Sequence, residues 1–188
     1  SKMLDHDGNI LIPAKLSPPS KHVKKYSLNN YHDDAIIKIN SDGKILYKKS
    51  VTEILIENKI IQNNFALNSE LTKNYEPIHL NDIEPVLSDS VYWKKGDVFL
   101  SLRHQSSIIH YRPRTNEVIN YITGPFSQQH DVDIISDKEI SIFNNNNFFF
   151  DTARVTNEYY HHSEILIYNF ETNGFRKLFN NQLKSENF

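Results

Sequence analysis

Short apolar runs separated by turn-forming residues recur along most of the chain, which is the pattern of β-strands rather than of long helices. Residues 35–40 are joined to residues 44–47 by Ser41-Asp42-Gly43. An Asp-Gly pair between two apolar runs is a strong signal for a β-hairpin. The same pattern predicts further strands at residues 10–13, 79–86, 97–103, 107–112, 117–122, 130–135, 140–143, 165–170 and 175–179.

Two segments depart from the strand pattern. Residues 14–34 are polar and contain Pro18 and Pro19, so they are predicted to form a loop between the second and third strands of one sheet. Ser50 and Glu53 match a capping box, which marks the start of a helix. The apolar residues after this cap recur at helical spacing, namely Val51, Ile54, Leu55, Ile61 and Phe65. One inserted helix is therefore predicted, packed against the outside of the sheets.

One unit of strands occurs twice in the second half of the chain. Residues 96–100 align with residues 138–142 at an offset of 42 residues, and Asn116 and Asn173 mark equivalent turns. A period of about 40 to 45 residues with several short strands is typical of a β-propeller blade. The chain is therefore predicted to be all-β: a partial β-propeller of about four blades, each a four-stranded antiparallel sheet. We expect residues 1–188 to form a single propeller domain that is cut from a larger one at both ends.

Three polar residues lie at equivalent edges of successive units: His79, Arg103 and His130. In a propeller the innermost strands line a central channel, so their ends converge on one axial pocket. An imidazole is a nucleophile near neutral pH, and a guanidinium grips two oxygens of an anion at once. The pattern predicts that these three side chains meet in an anion-binding pocket.

Composition excludes several other classes of protein. The 188 residues are 38% apolar with a formal charge of −2, which fits a globular unit with its own core and gives no electrostatic footprint for nucleic acid. No apolar run approaches the ~20 residues of a membrane span. The chain has no cysteine, so a disulfide framework and thiol chemistry are excluded.

Three motifs, in order, resemble the arylsulfotransferase family: Pro77-Ile-His-Leu-Asn-Asp-Ile-Glu-Pro85, Gly96-Asp-Val-Phe-Leu-Ser-Leu-Arg-His-Gln105 and Gly124-Pro-Phe-Ser-Gln-Gln-His-Asp131. These are bacterial propeller enzymes that move a sulfuryl group between phenols without a nucleotide sulfate donor. The resemblance implies an aryl sulfate and a phenol as small-molecule partners, no cofactor, and a periplasmic or exported location.

The resemblance also implies roles for single residues. The histidine of the Gln-His motif, His130, matches the family nucleophile that becomes transiently sulfated. Arg103 and His79 match the residues that hold the sulfuryl oxygens. Three further residues are candidates for substrate binding, with a structural role in the turn left open for the last two: Asn81, His104 and Gln105.

The family pattern lacks the acidic residues Asp131 and Asp133 that follow His130 here. A carboxylate in this place would orient the imidazole or repel an anionic sulfate.

Two other classes of function compete with the enzyme. One is a noncatalytic propeller that presents its loops to a protein or glycan. The other is a metal-dependent propeller hydrolase, because His130, Asp131 and Asp133, with Asn144 and Asn145 nearby, offer oxygen ligands that calcium prefers. The bland alternative is that the aspartates and asparagines hydrogen-bond the turns. His161 and His162 near Glu164 form a second metal hypothesis, which the alternation of side chains along a strand disfavours; no metal site is expected.

Overall fold

The computed structural model describes residues 3–21, 23, 31–60, 76–146, 149–150, 153–154 and 162–185. Within them lie three four-stranded antiparallel sheets and a two-stranded ribbon. The first sheet contains β1 (Met3–Leu4), β2 (Ile10–Lys15), β3 (Asp34–Ile39) and β4 (Ile45–Ser50). The second contains β5 (Leu80–Pro85), β6 (Val98–Leu102), β7 (Ser107–Arg112) and β8 (Glu117–Thr123). The third contains β9 (Asp131–Ile134), β10 (Glu139–Asn144), β13 (Glu164–Asn169) and β14 (Gly174–Leu178), and the ribbon pairs β11 (Phe149–Phe150) with β12 (Ala153–Arg154).

This architecture confirms the predicted all-β fold of propeller type. Each sheet is an antiparallel meander, as in a propeller blade, and in the third sheet β10 pairs with β13 across the inserted ribbon. The described residues form three such sheets, where about four were expected from the chain length. The difference arises because long insertions separate β2 from β3 and β10 from β13, and a further long segment precedes β5.

The outer hairpins of the second and third sheets are equivalent in atomic detail. The Tyr111 hydroxyl donates to Asn116 Oδ1 at 2.9 Å, and the Tyr168 hydroxyl donates to Asn173 Oδ1 at 3.0 Å. Both asparagines have positive φ, 57° and 52°, a conformation that asparagine tolerates better than most residues. The two turns that the sequence predicts to be equivalent thus share the same hydrogen bond and the same backbone conformation.

The predicted helix start is confirmed, with Ser50 as the N-cap residue of α1 (Val51–Glu57). Ser50 Oγ accepts a hydrogen bond from the Glu53 backbone N–H at 3.1 Å and donates to Asp33 Oδ1 at 2.5 Å. Val51, Ile54 and Leu55 are fully buried in a core that includes residues of the first and second sheets. The helix therefore packs against both the first and the second sheet, beside their last strands, β4 and β8. The helical positions expected at Ile61 and Phe65 lie outside the described residues.

A second short helix, α2 (Asn180–Ser185), follows β14 and was not anticipated. No helix within the described ranges has the length and apolar character needed to cross a membrane.

Aromatic side chains fill the space between the second and third sheets. Trp93, Phe99 and Phe170 are buried together, with the rings of Trp93 and Phe170 edge to face at 5.3 Å between centroids. Such pairs contribute beyond the apolar area they bury. The aromatic residues of this region thus join blade to blade.

The first strands of the sheets, β1, β5 and β9, lie side by side in chain order. Side chains of β5 bind the backbone of β9: Asp82 Oδ2 accepts from Val132 N–H at 3.1 Å, and Glu84 Oε1 accepts from Ile134 N–H at 3.3 Å. Because β9 is an edge strand, its outward backbone N–H groups have no neighbouring strand in their own sheet. The two carboxylates accept from these N–H groups instead. They fix how neighbouring blades meet at the inner edge, which is where the predicted site residues lie.

The pKa of Glu84 is raised to about 7, chiefly by burial; the hydrogen bond from Ile134 lowers it, and the charges of Asp133, Asp82 and Asp131 raise it. Glu84 Oε2 is buried and has no hydrogen-bond partner among the described residues, so a negative charge on this carboxyl group would be poorly stabilised. An acid whose pKa is higher in the folded state favours folding at low pH and opposes it at high pH. The free energy of unfolding is therefore expected to fall between about pH 4.5 and pH 7.

Glu84→Gln is expected to remove this pH dependence. The amide keeps an oxygen for Ile134 N–H but never ionises, so the variant should be more stable than the parent by about 1–3 kcal/mol at pH 8 and nearly equal to it at pH 4.5. Urea unfolding at the two pH values measures the difference. Glu171→Gln, which changes an exposed partner of Lys138, is the control. Equal stability differences at both pH values would contradict a raised pKa.

Candidate active site

The three residues predicted to meet are brought to one edge of the sheets. His79 directly precedes β5, Arg103 directly follows β6, and His130 directly precedes β9. The Arg103 backbone N–H donates to the His79 carbonyl at 3.0 Å, and the His130 N–H donates to the Phe143 carbonyl at 2.9 Å. His79 has a positive φ of 52°, and its N–H donates to Asp34 Oδ2 at 3.0 Å. Asp34 thus holds the strained backbone turn that carries the first imidazole.

Arg103 is oriented by two side chains. Its Nη2 donates to Gln128 Oε1 at 3.1 Å and its Nη1 donates to His104 Nε2 at 3.3 Å. Since a guanidinium only donates, His104 Nε2 accepts, and the proton of this neutral ring sits on Nδ1. His104 Nδ1 accordingly donates to the Glu76 carbonyl at 2.6 Å. Arg103 Nε is buried and has no partner in the described part of the chain, so one donor of the fork is unused.

The imidazole of His79 lies between a carboxylate and a second imidazole. Its Nδ1 is 3.1 Å from Glu76 Oε1, and its ring centroid is 4.6 Å from that of His104. His32 Nδ1 approaches the same Glu76 oxygen at 3.8 Å. Glu76 thus contacts three imidazoles, two through its carboxylate and one through its backbone carbonyl.

His130 is exposed, and its pKa is lowered from the ordinary value. Partial burial is the largest cause, followed by the positive charges of Arg103 and His79, while the carboxylate of Asp131 acts in the opposite direction. The imidazole of His130 therefore lies in the field of both other residues and is neutral at physiological pH. A neutral imidazole has the free electron pair that a nucleophile needs.

The residues predicted to bind substrate all contact the backbone of the site. Asn81 Nδ2 donates to the Gln129 carbonyl at 2.8 Å, and Gln105 Nε2 donates to the Pro77 carbonyl at 2.6 Å. His104 binds the Glu76 carbonyl, as described. These contacts hold the segments that carry His79 and His130, which is the structural role left open for His104 and Gln105. Their substrate-binding role stays a prediction.

Several residues of this edge were missed from the sequence: Asp34, Glu76, Gln128 and Gln129. Gln129 is fully buried and anchors the segment before His130 by donating to Ser101 Oγ at 3.2 Å and to the Ser107 carbonyl at 2.9 Å. Burial, and then the charge of Glu76, raises the pKa of Asp34 to about 7. The two glutamines adjoin the Gln-His motif and could have been found from it. Asp34 belongs to another sheet and left no sequence signal.

The metal hypotheses drawn from the sequence gain no geometric support. Asn144 Oδ1 accepts from the Ser127 N–H at 2.9 Å, and Asn145 Nδ2 donates to the Gln128 carbonyl at 2.6 Å, so both bind a loop. Glu164 lies 3.4 Å from His162 Nε2 but is also paired with Lys177 and Asn144. His161 lies outside the described residues, and among those that are described no third ligand joins His162 and Glu164. The group that does come within metal-ligand reach was not anticipated: one donor atom each of Glu76, His79 and His104 lies within 4.8 Å of the others.

A cavity of about 480 Å³ opens at the opposite end of the strands, between the first and second sheets. Lys38, Lys94 and Arg112 line it, but Asp97 accepts both Nε and Nη2 of Arg112 at 2.8 Å. This guanidinium is thereby committed to a structural ion pair. The residues predicted to be catalytic, His79, Arg103 and His130, lie at the other end of the strands.

Comparison with known proteins agrees with the motifs. The sequence model of the family described as Arylsulfotransferase (ASST) matches residues 1–187. No curated protein sequence matches the chain. Since the family match spans nearly its whole length, the chain belongs to the arylsulfotransferase family.

Proposed function

We propose that this chain carries the catalytic residues of a sulfotransferase that needs no nucleotide donor, and that moves a sulfuryl group from an aryl sulfate to a phenol through a sulfohistidine on His130. The observation that supports it best is the convergence of His130, Arg103 and His79 at one edge of two neighbouring sheets, the second and the third. The family match supports the sulfotransferase class. The residue roles and the covalent intermediate are the proposal.

In the first half-reaction a ring nitrogen of His130 attacks the sulfur of the aryl sulfate. The new N–S bond forms as the S–O bond to the aryl group breaks, and the electron pair leaves with the phenolate oxygen. In the second half-reaction an acceptor phenol oxygen attacks the same sulfur, and the N–S bond electrons return to His130. Splitting the transfer in this way predicts ping-pong kinetics.

In this proposal Arg103 stabilises the sulfuryl oxygens. Sulfuryl transfer resembles phosphoryl transfer, in which charge gathers on the peripheral oxygens of a loose transition state. The guanidinium is charged at every relevant pH, and its fixed donors suit two oxygens of one group. Its contacts with Gln128 and His104 orient it before the substrate arrives, so little reorganisation is needed.

In this proposal His79 protonates the departing phenolate. The Glu76 carboxylate lies 3.1 Å from His79 Nδ1, and the imidazole is partly exposed. Proton transfer by a positioned imidazole contributes about a hundredfold or more. In the return step the neutral ring accepts the proton of the acceptor phenol, and the cycle closes with no net change in the protein.

The proposal is tested by mass spectrometry of the intact protein after exposure to an aryl sulfate without acceptor. One added sulfuryl group is expected, located on the peptide that contains His130, and it should disappear when a phenol is added. The adduct should be labile in acid and stable in base, because its N–S bond resembles the N–P bond of a phosphoramidate. Absence of an adduct while transfer activity is present, or an adduct on another residue, would overturn the covalent role of His130.

A further inference from the structure

We propose that Glu76, His79 and His104 form a binding site for a divalent metal of the zinc type, and that the bound metal displaces Arg103 and suppresses sulfuryl transfer. The metal site itself stands on the geometry alone, whereas the inhibition rests on the proposed function. One carboxylate and two imidazoles are ligands that zinc commonly takes, with the remaining position left to water. Their donor atoms already lie within 4.8 Å of one another.

His104 is prepared as a ligand. Its Nδ1 donates to the Glu76 carbonyl at 2.6 Å, which fixes the tautomer that leaves the Nε2 electron pair free to bind. Metal-binding histidines usually donate their other ring N–H to a carbonyl or carboxylate in this way. The same residue, Glu76, thus offers one ligand through its side chain and orients another through its backbone.

His79 supplies a second observation that points to a cation. Its Nδ1 lies 3.1 Å from Glu76 Oε1, yet the atom is buried and makes no hydrogen bond of acceptable geometry within the described residues. A buried polar atom without a hydrogen-bond partner destabilises the fold. Here His79 Nδ1 and Glu76 Oε1 lie next to each other, so one cation could contact both atoms. No lysine or arginine of the described ranges forms an ion pair with Glu76. A metal ion between the two groups would satisfy both.

Arg103 and the metal compete for one electron pair. Arg103 Nη1 donates to His104 Nε2 at 3.3 Å, which is the atom that the metal would take. The guanidinium also repels a second cation at this place. Binding of the metal therefore releases Arg103 from one of its two side-chain contacts. The metal also binds His79, the proposed proton donor. Either change lowers the rate of sulfuryl transfer.

The binding is tested by calorimetric titration of the whole chain with zinc chloride at pH 7.5. One site is expected, and the dissociation constant should rise at least tenfold in Glu76→Gln and in His104→Gln. His6→Gln is the matched control, because His6 also pairs with a carboxylate, Asp7, but at the opposite end of the strands and without a second imidazole. Arg103→Met should bind zinc several-fold more tightly, since the competitor for His104 is gone.

Absence of zinc binding, or binding that the changes at positions 76 and 104 leave unaltered, would overturn the site. Thermal unfolding of each variant without metal shows whether it is folded. If Glu76→Gln does not fold, His104→Gln tests the site alone, because the His104 side chain is exposed. Inhibition is measured separately as loss of transfer activity with zinc and its recovery with a chelator. Zinc that binds without inhibiting would refute the displacement of Arg103 and leave the site in place. If no transfer activity is found, the calorimetric result still decides the metal site.

Discussion

Replacement of His130 by alanine is expected to lower sulfuryl transfer from an aryl sulfate by about a thousandfold or more, because the change removes the atom that forms the covalent bond. The fold should not suffer. The His130 side chain is exposed, and the hydrogen bond from its backbone to the Phe143 carbonyl at 2.9 Å survives the change. The measurement is the rate of phenol release from a chromogenic aryl sulfate, together with mass spectrometry for the adduct.

His6→Ala is the control for this prediction, since it removes an imidazole at the opposite end of the strands. It should leave transfer unchanged. Free imidazole added to His130→Ala should restore part of the donor cleavage, because it supplies the missing nucleophile to the vacated space. Full activity in the alanine variant would exclude His130 as the nucleophile, whichever residues remain around it.

Local sequence signals predicted the sheets because the relevant interactions are themselves local. The Asp-Gly turn at residues 42–43, the Ser50 cap and the two asparagine turns each depend on contacts within five residues. The place of α1 against two sheets depends instead on contacts with distant strands, and periodicity cannot specify which surface an apolar face will cover. Insertions use chain length without a repeating pattern, so length alone does not fix the number of blades; about four were expected, and the described residues form three sheets.

For the candidate site, the sequence indicated which strand ends meet but not what lies between them. The positions of His79, Arg103 and His130 follow from the repeat, because equivalent strand ends share one edge of a propeller. The carboxylates that hold them do not. Asp34 precedes His79 by 45 residues and binds its N–H across two sheets, so no spacing rule connects them. Glu76 lies outside the strands and became visible only through its contacts.

The second prediction with a large effect concerns Arg103. Arg103→Met should lower kcat/KM for transfer by about a hundredfold, since removal of one preorganised donor to a developing oxyanion costs about 3 kcal/mol. Arg103→Lys keeps the charge but loses the fork that contacts Gln128 and His104, so it should retain activity between that of the parent and that of Arg103→Met. Arg114→Met, which changes an exposed guanidinium beside the opposite cavity, should have no effect.

The pH profile distinguishes an electrostatic role of Arg103 from a purely structural one. After partial burial, the charge of Arg103 is the largest cause that lowers the pKa of His130. Because transfer needs the neutral imidazole, activity should be lost as the pH falls through this pKa. Removal of the charge in Arg103→Met raises the pKa, so the acid limb of kcat/KM should move to higher pH, whereas Arg103→Lys should keep it near its original position. The profile is measured from about pH 5 to about pH 8, a range that brackets the ordinary histidine pKa of about 6.5. An acid limb that stays fixed in Arg103→Met would show that the guanidinium does not act on His130, even if the rate falls as expected.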